Sequence, residues 1–502
     1  MLFTTLIFAL GFLPVVFAGF FLLARWHATA AAAWLFAASV FFYGYWMPEY
    51  VFLLLFSIAV NFGCGRAIVA ARGGDAAQGS RKAQRWMTLG IVFNLALLGY
   101  YKYSNFFVGT LEGLAGIGLG LPQVILPIGI SFFTFTQIAF LVDACTRGVS
   151  EVRPVHYGLF VTYFPHLVAG PVLHHAQMMP QFADASTYRV SAPNVAAGLA
   201  VFIIGLFKKI VVADGVSAYA DTVFAAADAG RSIAPVDAWI GALAYTFQLY
   251  FDFSGYSDMA VGLSLMFNIR LPYNFDSPYK ATSISDFWRR WHMTLSAFLR
   301  DYLYVPLGGN RRGEARRYLN LMATMLLGGL WHGASWTFVF WGGLHGLYLA
   351  LNHGYRALVA DRAAAWAGHR AYRVACWVMT FVAVVVAWVF FRAETFAGAR
   401  EVLIGMSGSG PAADMSPDSG DSLLFANAGL SWSAGLLHLA VLALVAVSLP
   451  NSNRIGEALQ RRLHGDTRRA PVVLGVCLVM GLLLLVVNDT REAVSPFIYF
   501  NF

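Results

Sequence analysis

The chain has 502 residues, of which 59% are hydrophobic and 12% charged, with a formal net charge of +8. A soluble domain carries about 25% charged residues, so no water-soluble fold of this length could cover so much apolar surface. The composition excludes a soluble enzyme, a disordered chain and a secreted disulfide scaffold, and predicts a polytopic, all-α membrane protein.

The basic residues cluster in short loops between apolar spans, which is the pattern of the positive-inside rule rather than of a nucleic-acid surface. The basic tracts lack the stacking platforms that single strands require, so no nucleic-acid partner is expected. Cys64, Cys145, Cys376 and Cys477 are far apart and form no CxxC or Cys/His ligand spacing. Neither a metal site nor a disulfide framework is expected from them.

In chain order, the first 25 residues, MLFTTLIFALGFLPVVFAGFFLLAR, lack a basic leading region and are longer than the apolar core of a signal peptide. They are expected to stay as a first span. Apolar runs follow at 29–47, 50–65, 87–108, 123–143, 154–172, 195–213, 239–268, 319–350, 374–391, 433–449 and 471–488. Several are too long or too interrupted for one helix, which predicts about 11 spans with additional re-entrant pieces. The 66–85 loop holds Arg66, Arg72, Arg81, Lys82 and Arg85 against Asp75; 289–317 holds seven arginines and 454–469 five. These tracts are predicted to be cytoplasmic, which places the N-terminus outside. Residues 402–453 contain no Lys or Arg but include Asp414, Asp418 and Asp421, so that stretch is expected on the opposite side. Within it, 406–422 reads as a floppy loop. The absence of an internal repeat argues against an inverted-repeat transporter.

Ionisable residues at membrane depth are costly, so each is a candidate site. The first island, Tyr250-Phe251-Asp252-Phe253-Ser254-Gly255-Tyr256-Ser257-Asp258, puts Asp252 and Asp258 in an apolar run. They are compatible with a functional role or with pinning broken helices through backbone N–H groups. The second island, 283–302, predicts a helix capped by Ser283 or Ser285 with Asp286 in its first turn. At about 100° per residue, Ser285, Arg289, His292, Ser296 and Arg300 share one stripe, and Phe287, Trp291, Leu295 and Phe298 oppose it. An interfacial helix accounts for the arginines; His292 at the centre of the stripe is a candidate for chemistry.

The third island, Leu326–Gly346, sets His332 in a Gly- and Trp-rich span with no charged residue between Arg317 and Arg356. Small residues there predict close backbone packing. A neutral histidine is suited to proton transfer, because its unperturbed pKa is near 6.5. His345 lies 13 positions on, rotated by about 220° on a continuous helix, so only one of the two can face a given cavity. Either is compatible with a catalytic or a core histidine.

The runs FWRRWHMTLSAFLRDYLYVPLGGNRRG at 287–313 and LLGGLWHGASWTFVFWGGLHG at 326–346 resemble the membrane-bound O-acyltransferase family, in particular its bacterial alginate O-acetylation subgroup. FPHLVAGPV at 164–172, GLFKKIVVAD at 205–214, YTFQLYFDFSGYSDMAVGL at 245–263 and the terminal FIYFNF at 497–502 are similar to the same group. The resemblance is strongest over 90–350 and implies one integral membrane O-acyltransferase domain over 1–502, with 402–432 as a periplasmic loop.

The resemblance implies further expectations. The fold is a ring of helices around a tunnel through a thinned membrane, in a bacterial inner membrane. The reaction is O-acetylation of an exported polysaccharide, alginate-like or cellulose, with acetyl-CoA as donor substrate and no bound cofactor. A periplasmic acetyltransferase is the implied partner. Peptidoglycan O-acetylation, or a transporter or export scaffold without transfer chemistry, are the alternatives. By motif, His332 carries over as general base and His292 as the second family position. Arg289, Ser296, Arg300, Asp252 and Asp258 are candidate substrate- or donor-binding residues, and Lys208-Lys209 could attract donor phosphates.

Overall fold

The computed structural model describes residues 1–73, 76–149, 153–366, 368–417, 419–491 and 495–501. Asp75, Asp418 and Phe502 lie outside the described residues. Among the described residues the chain is helical throughout, and its only extended pairing is the isolated bridge between Met415 and Ser422. Five helices among the described residues are long and apolar enough to cross a membrane: Ile7–Ala24, Pro48–Arg72, Ala192–Asp228, Arg370–Arg392 and Thr467–Asp489. The count rises to six when the pair Trp432–Ser448 and Ser452–Gly465 is taken as one span. The chain is therefore a multi-pass membrane protein with five or more candidate spans. Shorter apolar helices, such as Ala28–Gly44 and Ile130–Thr146, fall below spanning length.

The chain divides into two compact units. One comprises Met1–Leu206, Tyr256–Tyr273 and Ser452–Asn501. Its core holds the rings of Phe3, Phe8, Phe12, Phe42 and Phe164, with centroid spacings of 4.9–6.5 Å. Polar groups in this unit are matched across helices. Asn94 donates to Asn61 Oδ1 at 2.6 Å, and Gln137 donates to Ser57 Oγ at 2.9 Å. Such pairing is what an apolar solvent demands of buried amides.

The other unit comprises Phe207–Gly255 and Asn274–Asn451. It is built from α1 (Pro235–Met266, whose last turns belong to the first unit), α2 (Ile284–Arg290), α3 (Met293–Leu299), α4 (Glu314–His332), α5 (Trp336–Trp366) and α6 (Arg370–Arg392). The apolar run 319–350 is a hairpin of α4 and α5 rather than the continuous helix on which His332 and His345 were placed. The helix stops at His332 because Gly333 is extended (φ −158°) and Ser335 Oγ accepts the Thr337 N–H at 3.3 Å, capping α5. The two backbones touch where small residues meet. A Cβ on Gly342 would collide with the Met325 carbonyl, and one on Gly329 with that of Phe338. This realises the close approach read from the sequence.

The 406–422 stretch, expected to be floppy, is tied down by hydrogen bonds at its C-terminal end. Leu423 N–H donates to Asp414 O at 2.6 Å, and Trp432 N–H donates to Asp421 Oδ1 at 2.8 Å. Buried Asp237 of α1 accepts from both Ser422 Oγ (2.9 Å) and Trp432 Nε1 (2.6 Å). Those partners are 185 and 195 residues away in sequence, so no local signal announces them.

The α4–α5 contact generates a test. Gly342→Val should cost about 3 kcal/mol, the upper end of overpacking penalties, because backbone cannot yield. Gly354→Ala, where nothing lies within 4 Å of the added carbon, should be neutral or stabilise by up to about 1 kcal/mol. Thermal melting of detergent-extracted protein reads both; equal melting of the two variants would contradict the close approach.

Candidate active site

Ser283 caps α2 as predicted, its Oγ accepting the Asp286 N–H at 3.2 Å. Phe287, Trp291, Leu295 and Phe298 are buried, as the apolar stripe requires. The helix does not continue to residue 302, however. It breaks between α2 and α3, with Trp291 extended and His292 left-handed at φ 42°, ψ 54°. A left-handed conformation costs a non-glycine residue about 1 kcal/mol or more.

The break is held by the extended segment around Asn274. Met293 N–H donates to Asn274 O at 2.9 Å, and Asp276 N–H donates to Arg290 O at 3.0 Å. Thr294 Oγ1 donates to Asn274 Oδ1 at 2.6 Å, and Arg290 Nη1 to Asp276 O at 3.2 Å. These bonds replace the intrahelical ones lost at the break, which is the condition for interrupting a helix in an apolar environment. Residues 271–275, Leu-Pro-Tyr-Asn-Phe, carry one usable sequence signal: a proline that keeps the chain extended before Asn274. Nothing local shows that Asn274 would meet Thr294.

The break changes where the predicted stripe goes. Ser285 Oγ donates to Asn352 Oδ1 at 2.9 Å, Arg289 is exposed, and Ser296 Oγ donates to Trp291 O at 3.4 Å. Arg300 is 64% exposed and pairs with its neighbour Asp301 at 2.7 Å. Ser285, Arg289, His292, Ser296 and Arg300 therefore do not form one helical face. His292 alone turns inward and is fully buried.

Inside, His292 meets His332. Their ring centroids are 6.2 Å apart and inclined by 60°. His332, on the last residue of α4, is packed edge-to-face by Trp331 (4.9 Å), Trp341 (5.2 Å) and Phe391 (5.4 Å). Phe253 closes on His292 at 4.8 Å. The two imidazoles thus share an aromatic box drawn from α1, the α2–α3 break, the α4–α5 hairpin and α6. Phe391 was not foreseen; it ends the run 374–391, which reads only as an apolar span.

His345 was expected on the far face of a continuous helix. Because the run folds back after His332, it instead packs against Trp341 at 4.9 Å, the indole that also contacts His332. Its Nδ1 accepts from Trp288 Nε1 at 3.3 Å.

The two aspartates separate. Asp252 is buried and ion-paired with Lys209 at 2.8 Å, and Lys209 also reaches Asp214 at 2.8 Å. Lys209 is 2% exposed, so it serves this internal network rather than a phosphate in solution. Asp258 belongs to the other unit, where Ser452 Oγ donates to it at 3.0 Å. Among the described residues, no group of three or more His, Cys, Asp or Glu could hold a metal ion.

Comparison with known sequences places this architecture among relatives. Residues 132–391 match the sequence model of MBOAT, the membrane-bound O-acyltransferase family. The chain is 38% identical to the peptidoglycan O-acetyltransferase of Helicobacter pylori, covering 100% of this chain and 98% of the relative. It is 38% identical to the probable alginate O-acetylase AlgI of Azotobacter vinelandii, covering 100% of both. With the probable alginate O-acetylase AlgI of Pseudomonas aeruginosa it shares 43% identity over 78% of this chain and 72% of that one.

The clamp on His292 is testable without an activity assay. A double-mutant cycle of Asn274→Ala and Thr294→Val should give a coupling of about 1–2 kcal/mol in thermal or denaturant unfolding. Strictly additive effects would mean that the Asn274–Thr294 bond does not stabilise the break.

Proposed function

This chain belongs to the membrane-bound O-acyltransferase family, and we propose that it moves acetyl groups from cytosolic acetyl-CoA across a bacterial inner membrane for O-acetylation of an exported polysaccharide. The observation that carries this reading is the meeting of His292 and His332 in one buried aromatic box. The protein is an acyltransferase; the donor, the acceptor and the residue roles are the proposal.

In this reading the acetyl thioester enters from the side of the basic loops. Exposed Arg289, Arg311, Arg312 and Arg316 supply the field that attracts its phosphates. Neutral His332 takes the proton of an acceptor hydroxyl as the hydroxyl oxygen attacks the thioester carbonyl. The tetrahedral intermediate collapses with cleavage of the C–S bond, and the His332 imidazolium returns the proton to the departing thiolate. The ester leaves on the acceptor and CoA leaves as the free thiol. His292, held in place by the α2–α3 break, orients the acceptor or donates to the developing oxyanion. Walls of Trp331, Trp341, Phe253 and Phe391 keep out the water that would otherwise hydrolyse the thioester.

The topology that goes with this chemistry has about eleven spans and re-entrant segments, with the N-terminus on the periplasmic side. The folded 402–432 stretch then faces the periplasm, where a second acetyltransferase completes delivery to the polymer. Alginate-like polymers or cellulose are the proposed acceptors. Peptidoglycan is the second reading, favoured by full-length similarity to a relative named for that acceptor.

Two outcomes test the reading. His332→Ala should insert and fold normally yet lose acetyl transfer by about 10²–10⁴-fold, the usual contribution of a general base; full activity would remove His332 from the mechanism. Purified protein should bind or consume acetyl-CoA, with an affinity that weakens as salt rises. No interaction at low ionic strength would exclude a cytosolic thioester donor.

A further inference from the structure

Outside the histidine box, α2, α5 and α6 enclose a partly open pocket of about 720 Å³. Its α6 wall includes Arg373, Cys376, Thr380 and Ala383, spaced three to four residues apart on one face, with Tyr372 and Met379 beside them. From Arg373 to Ala383 the helix rises about 15 Å, which is half of the roughly 30 Å hydrocarbon core of a bilayer. This stretch of α6 is therefore about as long as one leaflet is thick.

Polarity changes along that depth. At one end stand exposed Arg356 and Arg373, with the hydroxyls of Tyr355 and Tyr372 paired at 3.0 Å. Toward the other end the lining is Leu351, Met379 and Ala383, and Thr380 turns its hydroxyl back onto the Cys376 carbonyl at 2.7 Å. Leu351 and Met379 are 60% and 68% exposed, more apolar surface than an aqueous cleft would leave open. Between 356 and 373 the sequence holds Arg356, Arg362, Arg370 and Arg373 against Asp361 alone. Cations and aromatic hydroxyls at one end and apolar side chains toward the other match one kind of molecule: an amphiphile with an anionic head.

We propose that this pocket is a binding site for an anionic phospholipid of the leaflet beside the basic residues. Its phosphate engages Arg356 and Arg373, and an acyl chain lies along Leu351, Met379 and Ala383. The lipid reaches the catalytic half of the molecule through one contact. Arg356 Nη2 donates to Ser283 Oγ at 3.2 Å, and Ser283 is the cap of α2, the helix that leads into Trp288 and His292. A headgroup at Arg356 thus bears directly on the segment that presents His292. The site is separate from the histidine box, and its test involves no acetyl transfer.

The full-length protein in detergent, titrated with phosphatidylglycerol or phosphatidylcholine, is followed by thermal melting and by native mass spectrometry. Wild type should retain one phosphatidylglycerol and melt higher with it than with phosphatidylcholine. Arg356→Gln/Arg373→Gln should melt like wild type in phosphatidylcholine but bind phosphatidylglycerol about tenfold more weakly. Arg373→Gln alone, which leaves the Arg356–Ser283 bond intact, should show part of that loss and serves if the double variant fails to fold. Ala383→Trp, filling the acyl end, should reduce retention of both lipids. Equal response of wild type to the two lipids, or an undiminished preference in the arginine variants, would overturn the proposal. So would displacement of phosphatidylglycerol by acetyl-CoA, since that would assign the arginines to a soluble phosphate donor.

Discussion

Everything at the centre of this protein depends on a helix that is interrupted where water is absent. An apolar medium offers no partner to a released peptide group, so an interruption survives only where the protein itself supplies the missing bonds. Asn274 and Asp276 do this for α2 and α3, through Met293 N–H, the Arg290 carbonyl and the Thr294 hydroxyl. The consequence is geometric. Had the helix run on from Ile284 through Tyr302, His292 would lie on a stripe with Arg289 and Arg300, both of which are exposed. Broken and turned left-handed, the same residue points into the aromatic interior and meets His332.

The second histidine arrives by the same logic in a milder form. Gly333 and Ser335 end α4 and start α5, and the small residues Gly329 and Gly342 let the two helices lie backbone to backbone. Trp341 is thereby placed against both His332 and His345. A cluster of buried charge lies in this unit as well, in the Lys209–Asp214–Asp252 network. Removing one member of such a network would strand an uncompensated buried ion.

Much of this was legible in the residues. Ser283 was readable as a cap, Phe287, Trp291, Leu295 and Phe298 as a buried face, and the glycines of 326–346 as a close contact. Periodicity over 285–300 suggested one continuous helix, however, because a pattern at 100° per residue reports side-chain chemistry and says nothing of whether the backbone is interrupted. The same blindness put His332 and His345 on one continuous helix. Asp237 and the 406–422 stretch show a further limit: composition rich in Gly, Ser and Pro suggested freedom, while anchors nearly two hundred residues away imposed order.

By itself, then, the sequence determined the solvent, the helical class, the polarity of the loops and the short roster of polar residues that lipid would not tolerate. Those properties follow from residue type and local spacing, which transfer free energies and helical periodicity translate directly. Only the tertiary structure decided that His292 and His332 share a box, that Asp252 belongs to Lys209, and that Asp258 lies in the other unit. Each of those outcomes depends on a hydrogen bond or ring contact between segments distant in the chain. Such partners are selected by distance in the folded molecule, a quantity that no local pattern of residues carries.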